Sequence, residues 1–282
     1  MKCLVTGYNG QLGYDVVKEL ERRNIECLGI DKNELDLTKK DDVYNYVKNY
    51  NPDVVIHCAA YTQVDKAEEN KELCYDVNVN ATKYLVDVCN EIGAKICYIS
   101  TDYVFNGDVE GYHKVDEKTD PINYYGLTKY QGEEEVRKNK KHFIVRISWV
   151  FGINGNNFIK TMLKLSETKD ELSVVCDQVG SPTYTYDLAK LLVDMINTDK
   201  YGTYHATNED VCSWYEFAKY IFEINNIDIK VNEVLTKDYK TLAKRPYNSK
   251  LDKSSLDNDF YRLPSWKDAC KRYCRELKKE EK

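Results

Sequence analysis

Through the first 150 residues, short apolar runs alternate with longer stretches in which apolar residues recur every three or four positions. The runs fall at residues 3–6, 25–30, 54–58, 96–99 and 143–147. Four to six near-continuous apolar residues are what a parallel strand requires when helices cover both of its faces. Between them lie helical patterns, one over 11–23 and another over about 72–92, the latter stopped by Gly93 where a left-handed cap belongs. Such alternation forces right-handed crossovers and predicts an α/β fold built on a doubly wound parallel sheet.

Beyond residue 150 the rhythm loosens. Helices are predicted over 157–166, 186–197 and 214–224, and Ser213 followed by Glu216 is a capping-box signature for the last of them. Strand-like pieces at 172–176 and 229–234 intervene, and residues 203–206 read as a sixth strand returning to the main sheet. The expected organisation is a first domain over 1–150, joined by that returning strand near 202–206. A smaller α/β domain follows over 151–282. Residues 278–282 read as a charged helix tip.

Composition narrows the field. With 41 Lys and Arg against 47 Asp and Glu, the formal net charge is −6. Nothing global therefore favours nucleic acid or an anionic membrane as partner. No run approaches the roughly 18 apolar residues of a membrane span. The N-terminus passes straight from Met1-Lys2 into an apolar run, without the order of a secretory leader, so a cytoplasmic location is expected. Ten cysteines spread from Cys3 to Cys274 with no C-x-x-C pair read as thiols. His57, His113, His142 and His205 are not in ligand register, and no metal is expected.

The first run leads into Gly7-Tyr8-Asn9-Gly10-Gln11-Leu12-Gly13, a G-x-x-G-x-x-G turn between a strand and an amphipathic helix. That spacing suits a sharp turn, close backbone approach to a pyrophosphate, and tight helix–strand packing. It predicts a Rossmann-like dinucleotide site made by Gly7, Asn9, Gly10, Gln11, Leu12 and Gly13, with the helix start holding the anion. Asp31, at the end of the second strand, can accept hydrogen bonds from the adenosine hydroxyls and repel a 2′-phosphate, which favours NADH. Lys32 beside it offsets that repulsion and keeps NADPH open.

A Tyr-x-x-x-Lys pair is the second candidate for chemistry. The chain has 24 tyrosines, and the spacing recurs at Tyr14/Lys18, Tyr44/Lys48, Tyr186/Lys190 and Tyr215/Lys219, so the pattern alone says little. Tyr125/Lys129 differs in context. It opens a helix between the fourth and fifth strands, and Ser100-Thr101-Asp102 ends the fourth at the carboxyl edge, where open α/β sheets bind ligands. A spacing of four puts phenol and ammonium on one helical face. A cation there is expected to lower the tyrosine pKa and make Tyr125 a general acid, with Thr101 on the same substrate oxygen.

Together these residues resemble the extended short-chain dehydrogenase/reductase superfamily and, within it, the dTDP-4-dehydrorhamnose reductases, over almost the whole chain. The resemblance rests on the glycine turn, on Cys58-Ala59-Ala60-Tyr61-Thr62-Gln63-Val64-Asp65, and on Ser100-Thr101-Asp102-Tyr103-Val104-Phe105. It continues through Tyr125-Gly126-Leu127-Thr128-Lys129, Arg146-Ile147-Ser148-Trp149, Asn156-Asn157-Phe158 and Arg245-Pro246-Tyr247-Asn248-Ser249. It implies NAD(P)H-dependent reduction of the 4-keto group of dTDP-4-dehydro-L-rhamnose to dTDP-L-rhamnose, with Thr101, Tyr125 and Lys129 catalytic. It further implies Asp36, Leu37, Ala59, Ala60 and Tyr61 on the cofactor, and Thr101, Asp102, Tyr103, Trp149, Asn157 and Arg245 on a nucleotide-sugar substrate. Arg245 is the candidate for the diphosphate, and Trp149 faces the sugar or anchors a core. Asn78 matches a superfamily asparagine or ties helix to strand. Tyr8 departs from the small residue usual in the turn and is expected to reshape the adenosine pocket. Some relatives dimerise through a metal on acidic residues; Asp15 alone does not establish one.

Two other readings stay open. One is a nucleotide-sugar epimerase or dehydratase of the same superfamily, although Tyr103 stands where a dehydratase carries the second carboxyl group. The other is a non-catalytic NADP(H)-binding regulatory subunit, against which the pair Tyr125 and Lys129 speaks. Oligomeric state is left open, a homodimer included.

Overall fold

In the computed structural model, which describes residues 1–280, the five apolar runs become β1 (Lys2–Thr6), β2 (Glu26–Ile30), β3 (Val54–His57), β4 (Lys95–Thr101) and β5 (His142–Ile147). The returning strand is Gly202–His205, and it pairs with β5. The sheet runs in the order returning strand, β5, β4, β3, β1, β2, and every pairing is parallel. The chain leaves β1 for β2 on one side and comes back to β3 on the other. A crevice therefore opens between the carboxyl ends of β1 and β3, the switch point at which such sheets bind ligands.

Neighbouring residues of each strand serve opposite faces, as period two requires. Val5, Ile56, Cys97 and Val145 face one layer, with α1 (Gln11–Arg22) and α8 (Thr185–Ile196) packed on it through Val16, Leu20, Leu188 and Leu192. Leu4, Val55, Ile96 and Ile144 face the other, covered by α2 (Lys40–Tyr50) and α5 (Ala81–Ile92) through Val43, Val47, Leu85 and Cys89. The pattern did not predict α2: only Val43 and Val47 of it are buried, too sparse a stripe to stand out in a polar segment.

The helix expected over 72–92 is interrupted. Helix α4 (Lys71–Tyr75) passes into a π-helical turn at Asp76–Asn80 before α5 resumes and ends at Gly93, φ +73°. Between α2 and α4 lies the short α3 (Val64–Glu69), and α6 (Tyr124–Val136) links β4 to β5. A second core gathers Phe151, Tyr184, Phe217, Trp266 and Tyr273 among α7 (Phe158–Ser166), α9 (Trp214–Asn225) and α10 (Trp266–Glu280). Ser213 and Glu216 form the expected capping box of α9. The strand pieces Glu171–Val175 and Lys230–Val234 pair in parallel. Helix α8 and the returning strand belong to the first core, so the chain re-enters it after contributing to the second. Of the charged tip at 278–282, the last two residues lie outside the described residues. All ten cysteines are free thiols.

Candidate functional site

The glycines of the turn are small because the backbone leaves no alternative. Gly7 sits at φ +70°, and a Cβ on it would lie 2.8 Å from the Ala59 backbone. A Cβ on Gly13 would lie 2.2 Å from the Gly7 carbonyl oxygen, so α1 can press on the turn only without one. The turn closes through Gly10 N–H to the Gly7 carbonyl (3.0 Å) and Gly7 N–H to the Ile30 carbonyl (2.8 Å). No side chain caps α1, which leaves its first amide donors and dipole to an anion. Beneath the turn, the Thr6 hydroxyl meets His57 Nδ1 at 2.7 Å and accepts from Ala59 N–H at 3.2 Å. Burial pushes His57 down to about 3, so it bridges β1 to Thr82 of α5 as a neutral ring.

From this turn a cleft of about 910 Å³ runs along the carboxyl edge to Trp149 and Trp214. Gly7, Asn9, Gly10, Gln11, Leu12, Gly13, Asp31, Asp36, Leu37, Ala59 and Ala60 line it. Uncapped helix start, cradle without Cβ atoms and acidic strand end together fit a dinucleotide. Tyr61 is not on the wall. Its backbone is clamped by Asn78, whose Oδ1 accepts from Tyr61 N–H (2.8 Å) and whose Nδ2 donates to the Tyr61 carbonyl (3.2 Å) and to Thr128 Oγ1 (3.0 Å). Asn78 thus ties the loop after β3 to α6, which explains a buried polar residue inside a π-turn. Tyr8 is off the wall as well; its ring packs where Gly29 of β2 lacks a side chain.

Thr101, Tyr125 and Lys129 converge on the middle of the cleft. Asn123 starts α6 by accepting from Gly126 N–H (2.8 Å), and Gly126 lets the helix lie against the Tyr103 carbonyl, where a Cβ would come to 2.1 Å. Thr101 Oγ1 donates to Asp102 Oδ1 (2.9 Å) and accepts from Tyr103 N–H (3.2 Å), and the Tyr103 ring meets Tyr125 edge-on at 5.8 Å.

The electrostatics correct one expectation. Burial pushes the Tyr125 phenol well above the usual tyrosine value, and the group that opposes this rise is the Thr101 hydroxyl, not Lys129. Lys129 lies with its ammonium 4.0 Å from the Tyr98 ring centre, and burial lowers it to about 7. Desolvation outweighs the pairwise attraction that helical spacing alone suggested. Burial also raises the Asp102 carboxyl to about 6.

At the far end, Trp149 both lines the cleft and packs against the second core. Its backbone is held at φ +50°, and its ring stacks on Trp214 with centres 3.8 Å apart. Trp214 was not anticipated: a single tryptophan opening a helix 65 positions later carries no spacing signal. Asp102 and Tyr103 are on the wall. Asn157 is not. It is buried as the N-cap of α7, accepting from Lys160 N–H and donating to the Gly152 carbonyl (2.9 Å) and to Tyr273 (3.0 Å). Arg245 is also off the wall, its fork spent on Asp65 through contacts of 2.6 and 3.2 Å. Asp15 accepts from the Thr185 hydroxyl between α1 and α8.

Among the described residues no helix is long and apolar enough to cross a membrane. A family model for the RmlD substrate binding domain matches residues 1–279. A dTDP-4-dehydrorhamnose reductase of Aggregatibacter actinomycetemcomitans is 41% identical, over 96% of this chain and 97% of that one. The crystal structure of such a reductase from Clostridium acetobutylicum superimposes with a TM-score of 0.97 at 42% identity, covering 99% of this chain and all of the other. One from Bacillus anthracis, solved in complex with NADP, gives 0.95 at 42% identity over 98% of this chain and all of that one. Matched from end to end, in sequence and in backbone, the chain belongs to the RmlD substrate binding domain family, that of the dTDP-4-dehydrorhamnose reductases.

Proposed function

We propose that the protein reduces the 4-keto group of dTDP-4-dehydro-L-rhamnose to give dTDP-L-rhamnose, using NADH or NADPH. The observation that carries this reading is the meeting of Thr101, Tyr125 and Lys129 in one cleft with the glycine turn. A reduced nicotinamide dinucleotide, when bound, supplies the hydride. The turn from Gly7 to Gly13 would hold its pyrophosphate, Asp31 its adenosine ribose and Lys129 the ribose nearest the chemistry. Asp31 favours NADH, while Lys32 beside it on the wall is suited to a 2′-phosphate.

Charge develops on the carbonyl oxygen as the C4 centre is reduced. Tyr125 donates its proton to that oxygen and Thr101 hydrogen-bonds to it. Burial serves this role, because a phenol kept neutral still carries the proton to be given. Trp149, Asp102 and Tyr103 bound the space for the sugar, and from residues 151–282 Trp214 joins them beside Trp149. Arg245 is paired with Asp65, so a diphosphate would share or compete for its guanidinium.

The test is to incubate the purified protein with dTDP-4-dehydro-L-rhamnose and NADH or NADPH. Expected is cofactor oxidation matched mole for mole by dTDP-L-rhamnose. Absence of oxidation with either cofactor, alongside measurable dinucleotide binding, would favour a regulatory subunit. Conversion of a nucleotide hexose without net cofactor consumption would favour the dehydratase or epimerase reading.

A further inference from the structure

The glycine turn is braced from outside by the segment that follows β5. Asn154 Nδ2 donates to the Asn9 carbonyl at 2.6 Å and reaches the Gly10 carbonyl at 3.4 Å. Gln11, the first residue of α1, accepts at Oε1 from Gly152 N–H (2.9 Å) and from Asn157 Nδ2 (3.3 Å). A trans peptide is planar, so its carbonyl and the following N–H point in opposite directions. The Gly10 carbonyl also accepts from Tyr14 N–H of α1 (3.2 Å), and holding it from both sides aims the Gln11 N–H, the first donor of α1. Gly10 N–H is already spent on Gly7, which leaves that donor and those behind it for a phosphate. The same segment begins with Trp149, held at φ +50° on the opposite part of the cleft wall.

We propose that Asn154 is a positioning residue that sets the pyrophosphate-binding turn. With Gln11 it links that turn to Trp149, so that dinucleotide and nucleotide sugar favour each other's binding. This rests on the function proposed above, since it presumes both ligands share the cleft. The link is reciprocal: whatever factor the nucleotide adds to dinucleotide affinity, the dinucleotide adds to the nucleotide's.

The experiment is calorimetric titration of the full-length protein with NADPH, with dTDP, and with each in the presence of the other. Wild type is compared with Asn154→Ala and Asn154→Asp. Losing the brace is expected to weaken NADPH binding about 5–10-fold, roughly the worth of one hydrogen bond. Affinity for dTDP alone should stay unchanged, and the mutual enhancement should fall towards one. Asn154→Asp, with a carboxylate facing two carbonyls, should bind NADPH more weakly still. In turnover, KM for the dinucleotide rises while kcat holds, and thermal midpoints match wild type because Asn154 is only half-buried in a loop. If both variants bind NADPH as wild type does, Asn154 does not position the turn. If wild type shows no mutual enhancement, the link to Trp149 fails. Failure of wild type to bind any dinucleotide would instead strike the proposed function itself.

Discussion

Arg146 grips Glu133 through two hydrogen bonds of 2.8 Å, from Nε to Oε1 and from Nη2 to Oε2, directly under the helix that carries Tyr125 and Lys129. Both side chains are buried, and Ser100 and Arg137 add contacts of 2.6 and 2.9 Å to the same carboxylate. Burial alone would raise Glu133, but the bond and charge of Arg146 prevail and hold it below the usual carboxylate range. Glu133 lies one turn along α6 from Lys129, so this pair anchors the face of α6 that lines the cleft to β5.

Removing Arg146 leaves the buried Glu133 charge with only Arg137 and Ser100, a cost short of the about 3–5 kcal/mol of a wholly unpaired buried charge. Arg146→Met is therefore expected to lower the urea midpoint. A double variant with apolar residues at both positions should recover much of the loss. Equal instability in single and double variants would show that the pair's geometry, rather than its uncompensated charge, dominates.

Tyr125→Phe removes the hydroxyl proposed as proton donor while keeping the ring that packs edge-on against Tyr103. We expect kcat to fall by about 10²–10⁴, the usual worth of general acid catalysis. NADPH affinity and thermal midpoint should be unchanged. Turnover within a factor of two of wild type would remove Tyr125 from the mechanism.

His57 and His205 are both pushed down to about 3, chiefly by burial, with the Lys129 and Arg146 charges respectively adding to it. Between pH 6.5 and 3 the unfolded chain binds protons at these rings that the folded chain refuses. Their contribution to stability is complete above about pH 6.5 and is lost as pH falls through that window. Asp102, raised to about 6, acts in the opposite sense between pH 6 and 3.8 and offsets part of that loss. Urea midpoints should therefore decline from pH 7 to pH 5, and a His57→Gln, His205→Gln double variant should decline less steeply.

Trp214 supports Trp149 by stacking, a contact worth about 0.5–1.5 kcal/mol beyond its buried area. Trp214→Ala is expected to raise KM for the nucleotide sugar about 2–10-fold while leaving KM for NADPH nearly constant. Trp214→Phe should restore most of the difference. A larger effect on the dinucleotide than on the sugar would place Trp214 at the other end of the cleft.

Much of this protein is written locally. Five apolar runs and a sixth near residue 203 become the six strands of one parallel sheet, because alternate residues such as Val5 and Leu4 must each find a helix layer. The spacing of Gly7, Gly10 and Gly13 is equally local, since the clashes that exclude a Cβ arise within one strand–turn–helix unit for Gly13. The N-cap of α9 follows from Ser213 and Glu216 alone.

Other features depend on contacts between distant parts of the chain. Arg245 meets Asp65 across 180 positions, Asn154 meets Asn9 across 145, and Trp214 finds Trp149 only once two cores have packed. Asn157 keeps its place in the family motif, yet its hydrogen bonds go to a helix start and to Tyr273. The sign of the Tyr125 shift belongs here as well. Helical spacing brings an ammonium near, but how far desolvation outweighs it depends on how deeply the cleft buries both groups. Periodicity and turn geometry are properties of neighbouring residues, whereas burial and pairing are settled only when the whole chain has closed around them.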